Sequence, residues 1–472
     1  MSLARQLAEL IHAMRYEQLP PEAVYWSKVA LLDTLGVTLA GSLEAAPRLL
    51  VDTLELQSGS GPSLILGGRR RVMYLDAALV NGTAAHVLDF DNATNTMFGH
   101  ASAVMIPALI AAGEAYGASG REVLLAHAAG FEVGARVGRG VNMHHYEKGW
   151  HPTSTLGVFA VAAACSLLLR LSAAQTATAL ALSTSLAAGT KANFGTMTKS
   201  LHVGQCARGG LMAALLARKG YTANDEAFEH KQGFLNVFNG PGNFDAARIL
   251  EGWGNPYDIV APGACYKQYP SCASTHPAVD AALALARAHG PFDGSAIARV
   301  ESWTSAPRLA HTNRPDPRTA LEAKFSVQYC VARALLDGRL AFEHFEDEAH
   351  RDPAVRTLLP RVFAAPYTEQ QFAPGNRLGA EIKVTFTDGT ARSARIEAPL
   401  GRTSANPIAP EHIKAKFEAC AGRILAPDAV EAVLRQVDSF EDVESVRDFT
   451  TLLEPARDDR FGASRSLERG AV

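Results

Sequence analysis

Five segments of this chain set ionisable side chains beside glycine or proline: His86-Val-Leu-Asp89-Phe-Asp91-Asn92, Gly99-His100, Gly149-Trp-His151-Pro152-Thr153, Lys199-Ser-Leu-His202-Val-Gly204, and Tyr266-Lys267-Gln-Tyr-Pro270-Ser-Cys272-Ala-Ser-Thr275-His276-Pro277. Singly each is a weak signal. A lone histidine such as His86, His202 or His276 is more often a satisfied structural residue, and a lone lysine is usually a solvated one. Together they hold the groups that proton chemistry next to a carboxylate requires. Removing such a proton piles negative charge on the carboxyl oxygens, so fixed cations and hydrogen-bond donors must be aimed at that charge. Imidazole titrates near neutrality and suits the proton transfer. A lysine ammonium supplies a local cation for a substrate carboxylate.

Other chemistries fit the sequence less well. His144, His145 and His151 with Asp89 and Asp91 could be drawn as metal ligands. However, HExxH, cysteine-rich and EF-hand spacings are absent, and adjacent His144 and His145 point apart on any regular element. No GxGxxG follows a strand pattern, and GxxxxGK[ST] and GxSxG are missing, which disfavours a nucleotide and a serine nucleophile. The expectation is therefore acid–base catalysis by the chain's own side chains, with no metal and no organic cofactor. A formal net charge of −3 gives no general attraction to nucleic acid or an anionic membrane. The six cysteines form no CxxC pair and read as reduced core thiols of a cytoplasmic protein. The N-terminus lacks a signal-peptide pattern. The most apolar stretch, Val158 to Leu171, is too short to span a bilayer.

The elements that must position these residues change character along the chain. Helical spacing predicts helices over Val24–Ala40, Ala103–Tyr116, Val123–Val137, Val158–Leu169, Ala173–Ala187 and Cys206–Lys219. Ser119 with Glu122, and Ser172 with Gln175, form capping-box patterns, and Gly220 is a stop signal. Gly130, Gly134, Gly209 and Gly210 suggest close helix packing. Alternation then predicts strands over Ala298–Ala306, Ala380–Thr387 and Ala391–Ala398, the last two joined by Asp388-Gly389 as a hairpin. Helical pattern intervenes at Pro277–His289, Ser326–Leu336 and Pro353–Val362, and returns at Glu411–Cys420 and Pro427–Gln436. The expected fold is mainly α: a large all-helical domain built from both chain ends, plus a smaller α+β domain. The expected boundaries are 1–262 for the first helical part, 263–405 for the α+β domain, 406–460 for the helical return and 461–472 for a flexible tail. A small-molecule site is expected in the cleft between domains.

These segments, in this order, resemble the MmgE/PrpD family, which includes 2-methylcitrate dehydratases, cis-aconitate decarboxylases and iminodisuccinate epimerases. The resemblance rests on Leu32-Asp33-Thr34-Leu35-Gly36, Asn81-Gly82 with His86-Val-Leu-Asp89-Phe-Asp91, Gly149-Trp-His151-Pro152-Thr153, Lys199-Ser-Leu-His202-Val-Gly204, Tyr269-Pro270-Ser271-Cys272 with Thr275-His276, and Lys324-Phe325-Ser326-Val327-Gln328-Tyr329. It spans nearly the whole chain. It implies a helical domain from both chain ends, a smaller α+β lid, a homodimer and no metal requirement. It also implies active-site positions at Asp89, His100, His151, Lys199, Lys267 and Tyr329. Asp89 would orient a histidine, His100 and His151 would move protons, Lys199 and Lys267 would bind carboxylates, and Tyr329 would line the site. Thr94, His202, Cys272 and His276 are further candidates for substrate contact.

Two departures bear on the reaction. The decarboxylases carry a threonine after the Asp-Phe-Asp-Asp run, where this chain has Asn92-Ala93-Thr94, and a histidine where it has Cys272. A neutral thiol is a poor replacement for a cationic acid. The expected activity is a lyase, dehydratase or decarboxylase in type, on a small di- or tricarboxylic acid. The alternative is an isomerase of the iminodisuccinate-epimerase kind, which exchanges a proton alpha to a carboxylate.

Overall fold

The structure, a computed structural model, describes residues 1–56, 60–346 and 348–456. The tail expected over 461–472 lies outside the described residues. The chain divides into two compact units, Met1–Cys265 with Ala409–Val472, and Tyr266–Ile408.

The first unit is built on long helices whose ends obey local chemistry. Pro21 opens the Pro21–Gly41 helix, where its missing N–H costs nothing. Ser119 with Glu122, and Ser172 with Gln175, make both reciprocal bonds of a capping box at Gly120–Val141 and Ala173–Ser183. The Ala101–Tyr116 and Gly157–Leu168 helices are apolar on all sides and almost wholly buried, as central helices must be. The return segment adds Pro410–Ala421 and Pro427–Asp438, the first packed along Pro21–Gly41. This unit also carries two short antiparallel ribbons, Ser63–Leu64 with Arg71–Val72 and Ala93–Thr94 with Ala264–Cys265. Among the described residues no single helix is long and apolar enough to cross a membrane.

Close helix crossings depend on glycine. A Cβ on Gly204 would lie 2.3 Å from the Leu79 carbonyl oxygen, and one on Gly82 would lie 2.9 Å from the Gly204 Cα. The Tyr74–Val87 and Thr198–Arg218 helices therefore cross nearly backbone to backbone. Gly130 and Gly210 serve similar crossings, whereas Gly209 has ordinary room.

The second unit holds a four-stranded sheet in the order Val362–Pro366, Ile297–Thr304, Ala380–Phe386, Ala391–Ile396. The first pair is parallel and the other two are antiparallel. Ala380, Ile382 and Val384 alternate inward along their strand, and the hairpin turns at Gly389 with φ +85°. The His276–His289 and Val327–Asp337 helices pack together and against these strands.

Three expected elements come out differently. The helix expected over Pro353–Val362 stops at Leu358, gives a 3-10 turn at Leu359–Arg361 and becomes the strand Val362–Pro366. Pro360 lacks the N–H that the helix needs and disfavours helical geometry at Leu359. The Ala173 helix ends at Ser183 rather than Ala187. The helix expected from Cys206 starts at Thr198, because Gly204 lowers the helical signal of its first turns but fits their packing.

Several buried histidines couple this fold to pH. His127 lies between Ser27 Oγ at 3.2 Å and Ser102 Oγ at 3.3 Å, and burial lowers its pKa to about 3. Burial likewise lowers His86 and His145 to about 4. These depressed values keep the folded-state imidazoles neutral at pH values where exposed histidine, at about 6.5, is protonated. Below about 6.5 the unfolded chain binds more protons, so stability falls as pH drops toward the folded values, by about 1.4 kcal/mol per pH unit for each such histidine. The melting temperature is expected to fall clearly between pH 6.5 and 4.5 and to be nearly level just above 7. His127→Gln should make the acid slope shallower, which scanning fluorimetry across pH would check.

Candidate active site

The candidate site of the first unit grows from a turn at the end of the Tyr74–Val87 helix. Asp89 has φ +52°, a left-handed conformation that Asp tolerates better than most residues. The chain reverses there and brings Asp91 back under His86. Nδ1 of His86 lies 2.9 Å from Asp91 Oδ1, and Nδ1 of His100 lies 2.8 Å from Asp91 Oδ2. One buried carboxylate thus bridges two imidazoles whose ring centroids are 4.5 Å apart. Burial disfavours the Asp91 carboxylate, but His100 and His86 outweigh it and hold the carboxyl well below its ordinary range. His86 then donates its Nδ1–H to Asp91, which leaves a lone pair on its Nε2, while Nδ1 of His100 makes its 2.8 Å contact with the same carboxylate outside hydrogen-bond geometry. Among the described residues the buried His86 Nε2 has no hydrogen-bond partner.

His100 stands just before the Ala101–Tyr116 helix. Its backbone N–H donates to Thr153 Oγ1 at 3.2 Å. A Cβ on Gly99 would lie 2.7 Å from the Thr153 backbone nitrogen, so only glycine allows the two segments to interlock. His151 precedes Pro152, which holds it in extended backbone, φ −92°, ψ 97°, before the short Pro152–Thr155 helix. Its Nδ1 faces Nδ1 of His202 at 3.2 Å, so one ring carries a proton at this contact and the other accepts it. Burial lowers the His151 pKa well below its ordinary value, with further lowering by His86, Lys199 and other neighbours. Burial also lowers His202. The His151 ring meets the edge of Phe194 at 4.9 Å and lies 6.0 Å from the His86 ring.

Lys199 and His202 share the face of the first turn of Thr198–Arg218. The Lys199 Nζ pairs with Asp89 Oδ1 at 2.6 Å and sits 5.4 Å from the centre of the Phe194 ring. Helix end and ammonium add their positive potentials here. His86, Asp89 and His100 each offer one potential ligand atom within 4.8 Å of the others. A divalent ion at that point would have to displace or repel the Lys199 ammonium, so these residues fit a cation poorly.

The structure therefore brings together Asp89, His100, His151, Lys199 and His202, around His86 and Asp91. Sequence reasoning treated His86 as a lone histidine and gave Asp91 no catalytic or binding role. The available signal was their five-residue spacing around a residue able to adopt positive φ. Thr94 is buried in the ribbon before His100; its hydroxyl lies 3.1 Å from Thr96 Oγ1 and accepts the Thr96 N–H at 3.2 Å. Thr96 is held in turn by Asp258 at 2.8 Å.

The remaining candidates lie in the second unit. Lys267 is buried. Cys272 is half-buried, with its N–H on the Lys324 carbonyl at 2.9 Å. His276 opens the His276–His289 helix, and its Nε2 lies 3.3 Å from the Ser271 carbonyl. Tyr329 is wholly buried: its hydroxyl donates to the His344 carbonyl and accepts from Arg333 Nε at 3.1 Å. His276 and Tyr329 thus make polar contacts inside their own unit.

An interlocked histidine–carboxylate–ammonium cluster on a helical unit built from both chain ends, with a separate α+β unit, defines a class. The chain belongs to the MmgE/PrpD family: the model of the MmgE/PrpD N-terminal domain matches residues 5–247 and that of the C-terminal domain residues 269–442. It is 31% identical to the human protein named cis-aconitate decarboxylase over 464 residues, covering 96% of this chain and 94% of the relative. The mouse protein of the same name is 30% identical over 474 residues, covering 96% and 93%. A mitochondrial 2-methylcitrate dehydratase of Yarrowia lipolytica is 26% identical over 268 residues, covering 49% of this chain and 51% of the relative.

Proposed function

We propose that this protein is a lyase of the dehydratase or decarboxylase type that acts on a small di- or tricarboxylic acid through its own His, Lys and Asp side chains. The observation that carries the reading is the His100–Asp91 pair at 2.8 Å. An ionised carboxylate at that distance favours the Nδ1–H tautomer of His100, in which Nε2 is the proton acceptor. The Lys199 ammonium beside it opposes charge that develops on a substrate carboxyl group.

For dehydration, His100 takes the proton from the carbon alpha to a carboxylate. The released electron pair forms the C=C bond as the C–O bond breaks. The imidazolium that His100 has become returns this proton to the departing hydroxyl, which leaves as water. For decarboxylation of an unsaturated acid, the C–C bond to one carboxylate breaks and carbon dioxide leaves. Its electron pair enters the conjugated system, and an imidazolium of this cluster returns a proton to carbon. Dehydration needs a group that takes a proton and gives it back, decarboxylation needs a proton donor, and both need a local cation. The sequence and names of the relatives support this class.

The test is proton NMR in D₂O with chelator-treated protein and a panel of 2-methylcitrate, citrate, cis-aconitate and aspartate-derived imino acids. A new vinylic product or release of carbon dioxide, unaffected by the chelator, is the expected result. Exchange of an α-proton without a new carbon skeleton would replace this reading with the isomerase one. Silence across the panel would overturn the substrate class.

A further inference from the structure

The motif Leu32-Asp33-Thr34-Leu35-Gly36 lies on the Pro21–Gly41 helix and belongs to none of the steps above. Asp33 is a buried acid in the middle of that helix, where an isolated carboxylate is costly. Its partner comes from the other end of the chain: Lys416, also buried, on the Pro410–Ala421 helix, with Nζ 2.6 Å from Asp33 Oδ1. Gly36, one turn beyond Asp33, makes room for that helix; a Cβ there would lie 3.0 Å from Phe417 Cδ2.

Both charged groups also grip the turn that carries the candidate acids. Lys416 Nζ donates to the Phe90 carbonyl at 2.7 Å and lies 3.9 Å from the centre of the Phe90 ring. Asp33 Oδ2 accepts from the Asn92 backbone N–H at 3.1 Å and from its side-chain amide at 3.0 Å. The two residues on either side of Asp91 are therefore fixed from outside the turn, one by each member of a buried ion pair. The turn contains the positive-φ Asp89, so it needs such outside restraint to hold one geometry.

We propose that Asp33 and Lys416 are positioning residues: their ion pair clamps Phe90 and Asn92, and thereby fixes the Asp91 carboxylate against Nδ1 of His100. The C-terminal helical return thus completes the candidate site, although none of its residues enters the steps above. The proposal rests on the acid–base reading of His100, and its test separates the two.

A single substitution would strand a buried charge and endanger the fold. The informative variant is Asp33→Asn with Lys416→Met, which removes both charges together. Its melting temperature is measured beside its kinetics, and nitrogen-15 NMR of labelled histidines reads the His100 tautomer, with His100→Gln assigning the signal. The expected result is a folded protein whose kcat falls about 10–100-fold with KM little changed, and whose His100 signal moves from the Nδ1–H form to a tautomer mixture. A folded double variant with wild-type kcat and an unaltered His100 signal would overturn the proposal. If the signal changes but His100→Gln itself keeps full turnover, the clamp stands and the acid–base reading fails. If the signal is unaltered, the clamp fails whatever the activity. Lys416→Arg, which keeps the charge and a donor, is expected to restore part of kcat when Asp33 is retained.

Discussion

His100→Gln is expected to lower kcat by about 10²–10⁴-fold, the range for loss of a positioned general base, with a melting temperature close to wild type. Glutamine can still reach the Asp91 carboxylate through its amide but has no titrating nitrogen. Asp91→Asn is the sharper companion. Its amide would present either a donor or an acceptor to Nδ1 of His100, so the ring could flip to carry its proton on Nε2. The base would remain in place in the wrong tautomer. A fall in kcat approaching that of His100→Gln is therefore expected, with KM changing far less. Steady-state kinetics on the substrate found by NMR would check both. Turnover of His100→Gln near wild type would remove His100 from the mechanism, and His151 would then be the base to examine.

Part of the candidate site was marked by local rules. His100 and His151 were legible because each stands where a segment turns into a helix, beside Gly99 or Pro152. Both capping boxes were legible because their chemistry is contained within four residues. What escaped the sequence depends on geometry that no local pattern carries. His86 and Asp91 form a pair only because the chain reverses at Asp89 with φ +52°. Asp33 entered the sequence reading only as part of the Leu32–Gly36 motif, with no role, since Lys416, which pairs with it and also holds the Phe90 carbonyl, is 326 positions from Phe90. The Val362–Pro366 strand was hidden because a short apolar run suits either a strand or a helix, and its parallel partner, Ile297–Thr304, is remote in sequence.

Lys199→Met is the second large effect expected, a fall in kcat/KM of about 10²–10³-fold, the scale of losing one preorganised electrostatic group. The difficulty is that Lys199 has two possible duties. It pairs with Asp89 at 2.6 Å, so its loss could act only by removing that ion pair from a buried carboxylate beside the imidazoles. Its proposed duty is to face a substrate carboxylate, and in that case Asp89 acts as its holder in the absence of substrate. Asp89→Asn combined with Lys199→Met separates these. If the lysine serves only to neutralise Asp89, removing both charges should restore most of kcat/KM. If it binds the substrate, the double variant should stay as impaired as Lys199→Met, with KM raised, because the missing cation is not replaced. The second outcome is expected. A further sign should accompany it: rising ionic strength should raise KM for the wild type and have little effect on the double variant, since added salt screens the attraction between a cationic site and a polycarboxylate.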